Sequence, residues 1–168
     1  MKDVVNGSSQ GSELLCHRSL NQRTIREPVY GIGIGVHSGE KVRITLRPAE
    51  PNAGICFLRT DVTGAVVIPA SAEHVADTTL ATSVAHGSVS VATVEHLMSA
   101  LWGLGIDNLL VELSAEEVPI MDGSAAPFID MIESVGVVEQ SQARQFIRIT
   151  RKIEVNQEDA VASVAPYD

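Results

Sequence analysis

From Arg23 onward the chain alternates short apolar runs with polar breaks, and most of the early runs have a period of two. Across 41–47 (KVRITLR), Val42, Ile44 and Leu46 alternate with charged or polar neighbours, which predicts a strand with one wet face. Runs at 28–34, 55–59 and 66–69 read as further strands, the last ended by Pro69. Between the first two strands lies Gly33-Ile-Gly-Val-His-Ser-Gly39, whose glycines can supply the positive φ of a tight connection and put His37 at a turn. Segments 48–54 and 86–87 predict turns, the second closing a hairpin between 80–85 and 88–92. The period then changes. In 94–104, Val94, Leu97, Met98, Leu101 and Trp102 recur at spacings of three and four, predicting a helix with Thr93 as its N-cap and Gly103 and Gly105 as its stop. A mostly apolar strand follows at 108–113, then a turn at Pro119 and Asp122-Gly123. Ser124 caps a second helix through Pro127, Phe128, Met131, Ile132 and Val135, stopped by Gly136. After Gln140-Ser141-Gln142, strand-like runs return at 146–149, 153–155 and 160–164.

Strands first, then two helices interleaved with one strand, predict an α+β fold: a two-layer sandwich whose mixed or antiparallel sheet is covered on one face by the two helices. Gly31-x-Gly33-x-Gly35 is followed by no helix and no Gly-Lys-Ser/Thr, which argues against dinucleotide binding. Residues 1–22, rich in Gly, Ser and Asn, are expected to be a disordered leader. They hold no apolar run longer than Leu14-Leu15-Cys16, so neither a secretory segment nor a membrane span is expected there. The first domain is placed at 23–142. Residues 143–168 are expected to open a second, truncated domain, whose unpaired strand edges invite self-association.

Charge and cysteine content narrow the function. Of the 168 residues, 12 are Lys or Arg and 21 are Asp or Glu, a net charge of −9, and Lys2, Lys41 and Lys152 are scattered. Phosphate neutralisation needs a basic surface or stripe, so nucleic acid is not an expected partner. Cys16 and Cys56 make no disulfide framework and no zinc knuckle, which predicts a reducing, cytoplasmic setting.

The most informative chemical spot is Thr93-Val-Glu95-His96, in the first turn of the predicted helix. The helix dipole favours carboxylate and neutral imidazole there, the forms required of a general base and a metal ligand. A catalytic zinc normally takes three protein ligands and a water. The histidines are His17, His37, His74, His86 and His96, with no H-E-x-x-H or H-x-x-x-D arrangement among them. His74 reads as a loop residue and His86 as a hairpin-turn residue. Glu116-Glu117 and Glu158-Asp159 read as solvated charges.

Taken together, Gln22-Arg-Thr24, Gly33-Ile-Gly-Val-His37-Ser-Gly39, Arg59-Thr-Asp61, Asp77-Thr-Thr-Leu80, Thr93-Val-Glu95-His96-Leu, Gly103-Leu-Gly-Ile-Asp107-Asn108 and Pro119-Ile-Met-Asp122-Gly-Ser-Ala-Ala-Pro127-Phe closely resemble the N-terminal half of the UDP-3-O-acyl-N-acetylglucosamine deacetylases. These are zinc-dependent hydrolases of lipid A, and hence lipopolysaccharide, biosynthesis. The resemblance implies two similar α+β domains with the active site between them, Zn2+ as cofactor and a UDP-linked acylated amino sugar as substrate. It implies that His96 is a zinc ligand, that Glu95 is the general base for the zinc water, and that His37, Thr78 and Leu80 lie along the substrate cleft. The family's other two zinc ligands, spaced H-x-x-x-D, are implied to belong to the second half. Two rival readings stay open at this point: a noncatalytic α+β binding module, and a self-contained metallohydrolase using His37, His96 and a carboxylate.

Overall fold

The computed structural model describes residues 20–167, so most of the expected leader and Asp168 lie outside the described residues. Its centre is a five-stranded sheet built from β2 (Val29–Ile34), β3 (Lys41–Pro48), β4 (Ile55–Arg59), β5 (Val67–Pro69) and β9 (Leu109–Leu113), in the order β2-β3-β9-β4-β5. The sheet is mixed, because β4 and β9 run parallel while the other neighbours are antiparallel. The predicted alternation decides its faces. Val42, Ile44 and Leu46 of β3 and Leu109, Val111 and Leu113 of β9 are fully buried on one side. On the other, Arg47 pairs with Glu112 at 2.8 Å and the edge residues Tyr30 and Ile32 are exposed.

Two helices cover the apolar side, α1 (Glu95–Leu104) and α2 (Ala126–Val135). Leu97, Ala100 and Leu101 of α1 and Phe128 and Ile132 of α2 join the sheet residues in one continuous core. The α+β sandwich expected from the chain is the fold observed, with no closed barrel among the described residues. Gly31 of β2 permits α2 to lie close, since a Cβ there would meet the Met131 side chain at 3.0 Å. Gly105 ends α1 in the left-handed region (φ 67°), where its N–H and that of Ile106 satisfy the last turn's carbonyls, as the glycine stop predicts.

Smaller pieces flank this layer. β6 (Val75–Asp77), β7 (Ser83–His86) and β8 (Val89–Val91) form a three-stranded antiparallel sheet, preceded by a 3-10 turn at Ala72–His74. The hairpin is shorter than predicted: Leu80 lies outside it, and His86 ends β7 rather than sitting in the turn. β1 (Asn21–Ile25) pairs antiparallel with β10 (Val137–Ala143). Hence Gln22, expected outside the fold, is buried within a strand, and Gln140–Gln142 continue β10 instead of breaking the chain. β11 (Ile153–Gln157) and β12 (Ala160–Val164) pair only with each other, and every residue of both is exposed. The strand predicted at 146–149 does not form.

Thr93 is the most instructive difference. Its hydroxyl caps no helix N–H; α1 starts after Val94 with no side-chain cap, while Thr93 itself sits at φ 58°. Ser124 stays close to its predicted part, its Oγ accepting the Ala126 N–H at 3.1 Å, although the flanking position of α2 is Ala125.

Candidate functional site

Glu95 opens α1, and its exposed carboxylate accepts the Thr82 backbone N–H. Partial burial pushes this carboxyl up, but the Thr82 amide, its own amide, the Thr82 hydroxyl and nearby His96 together outweigh it and hold the group below the ordinary range. Glu95 is thus an accessible anion. Beside it, the half-buried His96 keeps its Nδ1 buried and without a hydrogen-bond partner among the described residues. Buried polar atoms are normally satisfied, so an orphaned imidazole nitrogen marks an arrangement completed by something else.

Two further segments reach this helix start. Asp122 lies close enough for His96 to help hold its carboxyl low; the larger causes are the Ser124 amide and hydroxyl, both donating to Oδ1 at 2.9 and 2.8 Å. Met121 before it has φ 56°, so two non-glycine residues near the site, Thr93 and Met121, occupy the left-handed region. Strain of this kind persists only where the surroundings impose it, and it clusters at functional sites. The third segment is the glycine turn. His37 is exposed there, and its backbone N–H donates to Glu117.

Glu117 is where the sequence reading must be corrected. Far from being a solvated charge, it is 2% exposed. Its Oε1 accepts the Thr93 hydroxyl at 2.9 Å and the His37 N–H at 3.1 Å, and its Oε2 accepts the Ser38 N–H at 2.9 Å. Desolvation raises its carboxyl, yet those donors prevail and leave it below the ordinary range. No residue type announces such a role, because two of the donors are backbone amides about eighty positions away in the chain.

Of the residues expected along a cleft, His37 sits in the glycine turn and the other two lie together on one loop. Thr78 and Leu80 follow β6, exposed, in the stretch that leads to Thr82 and so to Glu95. An open groove of about 290 Å3 runs beside Glu95, walled by Ala70, Val75, Val84, Val94 and Met98. His74 and His86 lie elsewhere in bonding terms: the first pairs its Nδ1 with Ser71 Oγ at 2.8 Å, the second donates Nδ1–H to the Val67 carbonyl at 3.1 Å, and their rings sit 5.7 Å apart.

Residues 22–168 match the family model of UDP-3-O-acyl N-acetylglycosamine deacetylase. The chain belongs to that family. The UDP-3-O-acyl-N-acetylglucosamine deacetylase of Chromohalobacter salexigens is 54% identical over 149 residues, which is 89% of this chain and 49% of the relative. Those of Teredinibacter turnerae and Coxiella burnetii are 52% and 49% identical with the same shares covered. The chain therefore spans about half the length of the curated relatives it matches.

A metal fits the residues present only in part. Among the described residues no three His, Cys, Asp or Glu side chains gather as a metal group would require. His96 offers one imidazole, whose buried Nδ1 has no partner among the described residues.

Proposed function

We propose that this chain carries the Glu95–His96 part of a zinc-dependent amidase site that removes acetate from a UDP-linked, 3-O-acylated N-acetylglucosamine, a step of lipid A biosynthesis in the cytoplasm. The observation that carries the reading is the start of α1, where an exposed anion and an imidazole with an orphaned buried nitrogen stand side by side in a member of this deacetylase family. His96 would be one zinc ligand, with the remaining ligands supplied from outside the described residues. The chemistry that a bound zinc ion supplies is a water acidified toward a pKa of about 7 and a polarised carbonyl. Glu95, held anionic by Thr82 and His96, takes the proton from the attacking water and returns it to the departing amine. Water adds to the acetamide carbon, the C–N bond breaks, and acetate and a free 2-amino sugar leave.

His37, Thr78 and Leu80 would line the approach to that carbonyl, and the apolar groove beside Glu95 suits the acylated part of the substrate. Cys56 is a free thiol, in keeping with a reducing compartment. We further place a domain boundary near residue 143, where β10 ends and the solvent-exposed β11–β12 segment begins beyond it. In the protein extended to its relatives' length, Glu95→Gln should keep zinc and lose most of kcat, whereas His96→Ala should lower zinc content itself. Equal zinc in wild type and His96→Ala, measured by metal analysis after dialysis, would remove the ligand assignment; full turnover by Glu95→Gln would remove the base.

A further inference from the structure

Glu117 joins three segments at one buried carboxylate: the turn at 37–38, Thr93 two residues before the start of α1, and its own strand-like stretch. We propose that Glu117 is a positioning residue of the site, setting the left-handed turn at Thr93 from which Glu95 and His96 project and locking it to the turn that carries His37. The proposal rests on the reading of Glu95 and His96 as the chemical pair.

The argument begins with Thr93. A β-branched residue at φ 58° is a genuine outlier, and its flanks show what imposes it. The Ala92 N–H donates to the Glu116 carbonyl at 2.8 Å, the Val118 N–H to the Ala92 carbonyl at 3.0 Å, and the Thr93 hydroxyl to Glu117 at 2.9 Å. Segment 116–118 thus holds Ala92, just before Thr93, by both of its backbone groups, and holds Thr93 itself by its side chain. Only Val94 and Glu95 lie between Thr93 and His96, so the orientation of the helix start follows that grip.

The carboxylate is specific for this task. Each oxygen receives a backbone N–H, one from His37 and one from Ser38, so an amide in its place must aim its NH2 at a donor. Gly35 completes the cradle, because a Cβ there would collide with the Glu117 carboxylate. Glu117 touches neither of the reacting groups directly; it acts through Thr93 on one side and through the backbone of His37 on the other.

The test separates positioning from plain stabilisation by comparing 15N-labelled wild type with Glu117→Gln, Thr93→Val, Thr93→Ser and a core control, Ile132→Val. Glu117→Gln should move the backbone resonances of Glu95 and His96, the His96 imidazole nitrogens, and the amides of His37 and Ser38 together. Thr93→Val, which loses only the hydroxyl link, should move the Glu95–His96 set, and Thr93→Ser should return it to the wild-type positions. Ile132→Val should lower the melting temperature yet leave both sets in place. In the extended protein, Glu117→Gln should lower kcat by up to about 100-fold, the cost of an ångström of misplacement, with KM little changed. Resonances that stay put in Thr93→Val and Glu117→Gln, or that move equally in Ile132→Val, overturn the proposal even if Glu117→Gln folds poorly. An active Glu95→Gln overturns the deacetylase reading and leaves the resonance result standing, so the two failures are distinguishable.

Discussion

Glu95 and Glu117 are both carboxylates held below their ordinary range, but they face different solvents. Glu95 is open to water at the helix start, and Glu117 is enclosed by the amides of a turn and a hydroxyl. A depressed native value has a definite consequence for pH dependence. Such a group contributes stability that is fully present above its unfolded value, near 4.5 for Glu117, and is lost as pH falls through the lower native value. Thermal melts from pH 7 down to pH 3 should therefore show wild type losing melting temperature more steeply below about pH 4.5 than Glu117→Gln, which starts lower at pH 7. Parallel curves would mean that the carboxylate carries no pH-linked stability. The residue also marks the limit of reading from sequence. The place of Glu95-His96 at a helix start was legible from the apolar period of 94–104, whereas Glu116-Glu117 looks like solvated charge until the fold brings the turn at 37–38 across the chain.

Elements with a strong period were legible and elements built on amides were not. β3, β4, α1 and α2 fall where the apolar spacing puts them, since burial on one face leaves its period in the sequence. β1 and β10 did not, because what fastens them is polar. Asn108 Nδ2 donates to Gln22 Oε1 at 2.8 Å and to Gln140 Oε1 at 2.7 Å, while Gln22 Nε2 donates to Asn52 Oδ1 at 2.8 Å. In a sequence, Gln and Asn beside Ser read as a linker; with Gln22 and Asn108 buried and the amides bonded to one another, they knit β1, β10 and the 49–54 turn together. Neighbouring positions on α1 give a direct measure of the period. Leu101 is 1% exposed and Trp102 is 78% exposed. Leu101→Ala should cost about 2–5 kcal/mol in chemical denaturation, cavity included, and Trp102→Ala within about 0.5 kcal/mol. A larger loss from Trp102→Ala would show that this face of α1 is covered by something that the described residues do not include.

At the scale of the molecule, two features bear on what this chain does by itself. The described residues gather no three-donor metal group, so the Glu95–His96 pair proposed above stands among them without further donors for a catalytic zinc. The purified 168-residue chain should accordingly hydrolyse no UDP-linked acetamide above background with or without added zinc; zinc-dependent turnover would favour the self-contained metallohydrolase. The other feature is the β11–β12 hairpin. Val155, Val161 and Val164 are half or more exposed and Ile153 is 48% exposed, and among the described residues the hairpin has no third strand. Two strands alone are marginal in water, since backbone hydrogen bonds open to solvent barely offset the entropy of ordering them. Leu97, Leu101, Leu109 and Val111, by contrast, open only when the core does. Hydrogen exchange followed by mass spectrometry should therefore show 153–164 exchanging first and the peptides spanning α1 and β9 last. If the hairpin slows as protein concentration rises, its unpaired edges are associating with other copies, as exposed apolar strands do. If at high dilution it exchanges as slowly as α1, it belongs to the same cooperative unit as the core, and the boundary placed near residue 143 is wrong.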